Sequence, residues 1–104
     1  MKYLVTVTPG PMPPPIEMVR AAREWVEEKS GDGTFECVYA FPEGGGVSIS
    51  DHESHDALMD TLLDYPIAPF VQYDVKALVE LNGAFDRFES IAEKMAEQMA
   101  GAAS

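Results

Sequence analysis

Apolar and polar positions alternate from the start of the chain. In Lys2 to Thr8, Tyr3, Val5 and Val7 point one way and Leu4, Thr6 and Thr8 the other, which predicts a strand. Neither face is strongly polar, as in a sheet covered on both sides. From Ile16 to Lys29 the period changes: Ile16, Val19, Ala22, Trp25 and Val26 fall at helical spacing, with most charges outside. Period two returns at Thr34 to Phe41, with Phe35, Cys37, Tyr39 and Phe41 on one face and Glu36, Val38 and Ala40 on the other. A short third strand, Val47 to Ser50, completes a hairpin across Pro42 to Gly46. Leu58, Leu62 and Leu63 then mark a second helix, and Val71 to Leu81 reads as the longest strand. Its Phe70, Gln72 and Asp74 side opposes Val71, Tyr73 and Val75. Phe85, Phe88, Ala92, Met95 and Met99 give the last helix, residues 84–99.

The punctuation agrees with these periods. Pro9 to Pro15 cannot donate to a ladder and forms a stiff connector that brings Pro14 or Pro15 to the first helical turn. Lys29, Gly31 and Gly33 close that helix. Ser54 is the natural N-cap of the second helix, and Asp56 suits the positive end of its dipole. Pro66 and Pro69 bracket the joint into the fourth strand, Asn82-Gly83 ends that strand, and residues 101–104 are expected to fray.

The element order βαββαβ with a C-terminal helix predicts an α+β, ferredoxin-like sandwich with a four-stranded antiparallel sheet, one domain over residues 1–104. Helices cover one face only. The other is at least half apolar and calls for a second copy, so a homodimer or higher homo-oligomer is expected. A formal net charge of −11 argues against nucleic acid and membrane surfaces as partners. No apolar run reaches a membrane span, and the single Cys37 excludes an intrachain disulfide. A soluble cytoplasmic protein is expected.

Candidate chemistry is sparse. Glu36 interrupts an apolar strand face, so it lies either at a solvated rim or in a cavity where desolvation would make it a general base. His52 and His55 sit among carboxylates before the second helix, which reads as a polar helix cap rather than a metal or heme site. Candidate bases are Glu36, His52 and Asp74, and candidate oxyanion donors are Tyr39 and Tyr73. Tyr73 and Asp74 cannot share a face. Trp25 reads as a core anchor. The turn Gly44-Gly45-Gly46 lacks the lysine and following helix of a phosphate loop. No cofactor and no metal are expected.

Gly33-Thr34-Phe35 and the stretch Leu58 to Phe70, in which two leucines lead into Pro66-Ile67-Ala68-Pro69-Phe70, resemble the muconolactone isomerase-like group of dimeric α+β barrel proteins. The resemblance runs from the first strand to about Leu81. It implies subunits joined through their sheets, a pocket in each, and cofactor-free proton transfer between carbons. The second strand departs from the basic, aromatic pattern of the enzyme proper, holding Glu36, Cys37, Tyr39 and Ala40. The implied reading is therefore a cofactor-free isomerase, cyclase or oxygenase type of enzyme acting on a small hydrophobic carbonyl compound other than muconolactone. The alternatives are a non-catalytic binding or accessory protein of the same fold, or a purely structural dimer.

Overall fold

The computed structural model describes residues 1–103. Its elements are β1 (Lys2–Pro9), α1 (Ile16–Gly31), β2 (Phe35–Ala40), β3 (Gly46–Asp51), α2 (His55–Asp64), a 3₁₀ turn (Ala68–Phe70), β4 (Val71–Leu78) and α3 (Leu81–Ala103). The strands form one antiparallel sheet in the order β2-β3-β1-β4. This is the split βαβ arrangement that the element order predicts.

Local chemistry sets the boundaries. The Pro15 carbonyl accepts the first amides of α1, from Met18 and Val19 at 3.0 and 3.1 Å, and its fixed φ suits that position. Ser54 Oγ accepts the Ala57 amide at 3.1 Å, as expected of an N-cap. Two boundaries differ from the sequence reading. β4 stops at Leu78, and Asn82-Gly83 lies in the first turn of α3, where the Ala84 amide reaches the Glu80 carbonyl at 3.1 Å. A helix N-terminus tolerates a glycine that a strand end would also attract. α3 also continues through Gly101 to Ala103, so its end lies beyond the predicted Met99; of the residues expected to fray, Ser104 lies outside the described residues.

Cross-strand register assigns the faces. Tyr3, Val5 and Val7 stand opposite Ser50, Ser48 and Gly46 on β3, and opposite Ala77, Val75 and Tyr73 on β4. These positions face α1 and α2, and the buried nucleus is Tyr3, Val5 and Leu58, with Val7, Leu62 and Tyr73 packed against it. An irregularity between Phe35 and Cys37 disturbs β2. It overturns the strict alternation read for this strand: Phe35 joins Val38 and Ala40 on the helix side, while Cys37 and Tyr39 pair with Ile49 and Val47 on the other. Leu4, Thr6, Cys37, Val47 and Ile49 make the uncovered sheet face half-exposed and largely apolar. α3 runs away from this body, giving a molecule 69 Å in its longest dimension. Among the described residues, no helix is long and apolar enough to cross a membrane.

Candidate functional site

The residues under α1 are small. Gly46 and Ser48 of β3 and Ala40 of β2 present little bulk to the helix, and the buried Ala22 of α1 adds none. Trp25 and Phe35 meet edge-on at 5.6 Å between ring centroids, a contact that packs α1 against β2. Bulky aromatics beside small residues leave an open cavity of about 370 Å³ between α1 and the sheet.

Val5, Val7, Val19, Phe35 and Val38 supply most of its apolar wall. Trp25 closes one side, its ring 5.0 Å from that of Tyr65, while its indole Nε1 donates to Asp64 Oδ2 at 3.1 Å. The expected core anchor is thus a half-buried wall of the cavity. At the floor the Tyr73 hydroxyl donates to the Leu62 carbonyl at 2.8 Å. Burial, reinforced by neighbouring Tyr65, pushes the Tyr73 pKa well up. Burial likewise raises Tyr65, so both phenols stay protonated at neutral pH. Tyr65 Oη is not spent on any hydrogen bond among the described residues, which leaves it free to donate. At the mouth, Arg23 Nε and Glu27 Oε1 lie 3.3 Å apart on the exposed side of α1.

The residues singled out from the sequence do not converge. Tyr73 lines the cavity, and Tyr39, 68% exposed, borders it at the β2 edge. Glu36 is at the rim, where its carboxylate pairs with Lys2 Nζ at 2.8 Å in solvent. Asp74 is exposed opposite Thr6, on the sheet face away from Tyr73. His52 is buried at the end of β3, its Nε2 3.0 Å from Ser50 Oγ. Burial holds its pKa below the ordinary 6.5 against the opposing pull of Asp51. His55 shares a hydrogen bond with the Tyr3 hydroxyl through Nδ1, so the two histidines serve different partners. Among the described residues, no three metal-ligating side chains come together.

Arg23, Glu27 and Tyr65 are the site residues that sequence reasoning missed. The signal for the cavity was present in β3, where Gly46, Ser48 and Ser50 alternate with Val47 and Ile49. Small residues on one face and large ones on the other mean a hollow beneath a helix and an apolar face on the opposite side.

No family model matches the chain, and no curated protein matches it. Solved structures do. A muconolactone isomerase matches with a TM-score of 0.68 at 24% identity, over 77% of this chain and 90% of that one. The 5-chloro-2-hydroxyhydroquinone dehydrochlorinase from Burkholderia phenoliruptrix AC1100, solved with 2,5-dihydroxybenzoquinone, matches with a TM-score of 0.63 at 14% identity, over 80% of this chain and 98% of that one. At these identities the likeness is one of fold. With its single four-stranded sheet and helices on one face, the chain has the muconolactone isomerase-like α+β fold.

Proposed function

We propose that the cavity between α1 and the sheet binds a small hydrophobic carbonyl compound and that the protein isomerises it by proton transfer without a cofactor. The observation that carries this reading is the phenol of Tyr65, without a hydrogen-bond partner among the described residues, in a wall that is mostly aromatic and aliphatic. A neutral phenol in such surroundings donates to a carbonyl oxygen and strengthens that bond as the oxygen becomes an enolate. The lining suits a planar unsaturated ring of the size of the lactone or quinone named for the two structural neighbours.

The carboxylate best placed to take a proton is Glu27, at the mouth beside Arg23. In the proposed reaction Glu27 removes a proton from the carbon next to the carbonyl, Tyr65 holds the enolate oxygen, and Glu27 returns the proton to a conjugated carbon. The double bond moves, and no atom is gained or lost. Arg23 beside the carboxylate would draw an anionic ring substituent to the mouth. The protein is taken to work as a homo-oligomer in the cytoplasm.

The test is deuterium uptake from D₂O into an enolisable cyclic carbonyl compound, followed by NMR. Wild-type protein is expected to speed exchange, and Glu27→Gln to stop it while still binding. A second reading, binding without turnover, is favoured by the exposure of Glu27, whose side chain is 67% accessible. Binding with no exchange in the wild type would establish it in place of the first.

A further inference from the structure

α3 is 23 residues long, and beyond Ala84 its residues up to Gly101 are exposed. Leu81, Phe85, Phe88, Ile91, Met95 and Met99 are between 52% and 72% accessible. An amphipathic helix in water needs a partner for such a stripe. The spacing says what kind. Leu81, Phe85, Phe88, Ala92, Met95 and Met99 are separated by alternating steps of four and three residues, the 3.5-residue repeat of a seam between two helices. Asp86, Arg87, Glu93, Lys94 and Glu97 all fall outside that seam.

The seam is complementary to itself. If two α3 helices run antiparallel about residue 90, Phe88 of one faces Ala92 of the other, a large ring against a methyl group, and this happens twice. Phe85 then faces Met95 and Leu81 faces Met99, while Ile91 meets its own copy on one edge. Antiparallel helices also oppose their dipoles. Taking about 200 Å² for each of these six large apolar residues at these exposures, the pair can bury up to roughly 1,450 Å², within the range of specific dimers. From the seam spacing, the Phe88 and Ala92 complementarity and the exposure of the stripe, we infer that two copies of this chain associate through an antiparallel pairing of α3. This interface is separate from the uncovered sheet face and independent of the proposed activity.

The test uses the full chain with Cys37→Ser as background, at physiological ionic strength because the two Glu89 side chains meet on the other edge. With Ile91→Cys, mild oxidation is expected to give a chain-to-chain disulfide; with Phe85→Cys, far from its own copy, it is not. In light scattering, the otherwise unaltered protein has at least twice the chain mass of 11.4 kDa, Phe88→Glu halves the mass, and Leu63→Glu on α2 leaves it unchanged. Since α3 stands off the sheet, Phe88→Glu leaves the rest of the fold intact. A mass insensitive to Phe88→Glu, a mass lowered equally by Leu63→Glu, or crosslinking through residue 85 instead of 91 would overturn the inference.

Discussion

The hydroxyl of Tyr73 donates to the carbonyl of Leu62 at 2.8 Å, joining the last strand of the sheet to the C-terminal turn of α2. Carbonyls in the last turn of a helix lack the usual i+4 amide, and the Leu62 carbonyl otherwise takes the Tyr65 amide at a long 3.4 Å. The bond therefore satisfies a helix end and fixes one wall of the cavity.

Tyr73→Phe removes the donor and keeps the ring. Its expected cost is about 1 kcal/mol, the usual net worth of one such bond. A urea titration should show a lower midpoint with an unchanged slope.

Gly45 lies in the β2–β3 turn with φ +79°, and a Cβ there would run into the Val7 carbonyl. Gly45→Ala adds backbone strain to a clash with backbone that cannot swing aside. The loss should be at least about 2 kcal/mol, measured in the same titration.

His52 makes stability depend on pH. Burial keeps its folded pKa below the ordinary 6.5. Above that value neither state binds the proton. As pH falls through 6.5 toward the lower folded value, the unfolded chain takes up the proton first, so stability falls. Relative to His52→Gln, the wild type should lose stability steadily below about pH 6.5. A constant difference between the two proteins from pH 8 to pH 5, the span in which histidine titrates, would contradict this.

Glu36→Gln and Tyr65→Phe separate the rim from the cavity. Glu36 meets Lys2 in solvent, where an ion pair contributes little, so its loss should leave ligand affinity unchanged. Tyr65→Phe should weaken binding of a carbonyl compound roughly tenfold, the loss of one hydrogen bond, as read by calorimetry.

The strands and caps were legible in the sequence because local chemistry decides them. Ser54 can cap only the helix on its C-terminal side, and the alternation of Tyr3, Val5 and Val7 marks a strand, but with neither of its sides polar the choice of helix-covered face comes from the packing of Leu58 and Leu62 on it. The irregularity after Phe35 was not legible: it is settled by pairing with β3, and it moved Phe35 toward Trp25 while leaving Glu36 beside Lys2. A base placed at Glu36 by simple alternation therefore fell outside the cavity. Tyr65 reaches the site only because α2 ends there and the chain turns at Pro66, a tertiary fact with no periodic signal. His52 and His55 look alike in sequence, yet one is held by Ser50 and the other by Tyr3.

The chain has a single tryptophan, and Trp25 forms a wall of the cavity. Its fluorescence, corrected for absorption by the added compound, is the most direct test of whether the cavity holds a small carbonyl compound. Titration with 2,5-dihydroxybenzoquinone or an unsaturated lactone should give a saturable change, lost when Ser48→Leu fills the space beneath α1. A response that never saturates, or one that persists in Ser48→Leu, would show that the ligand does not occupy this cavity.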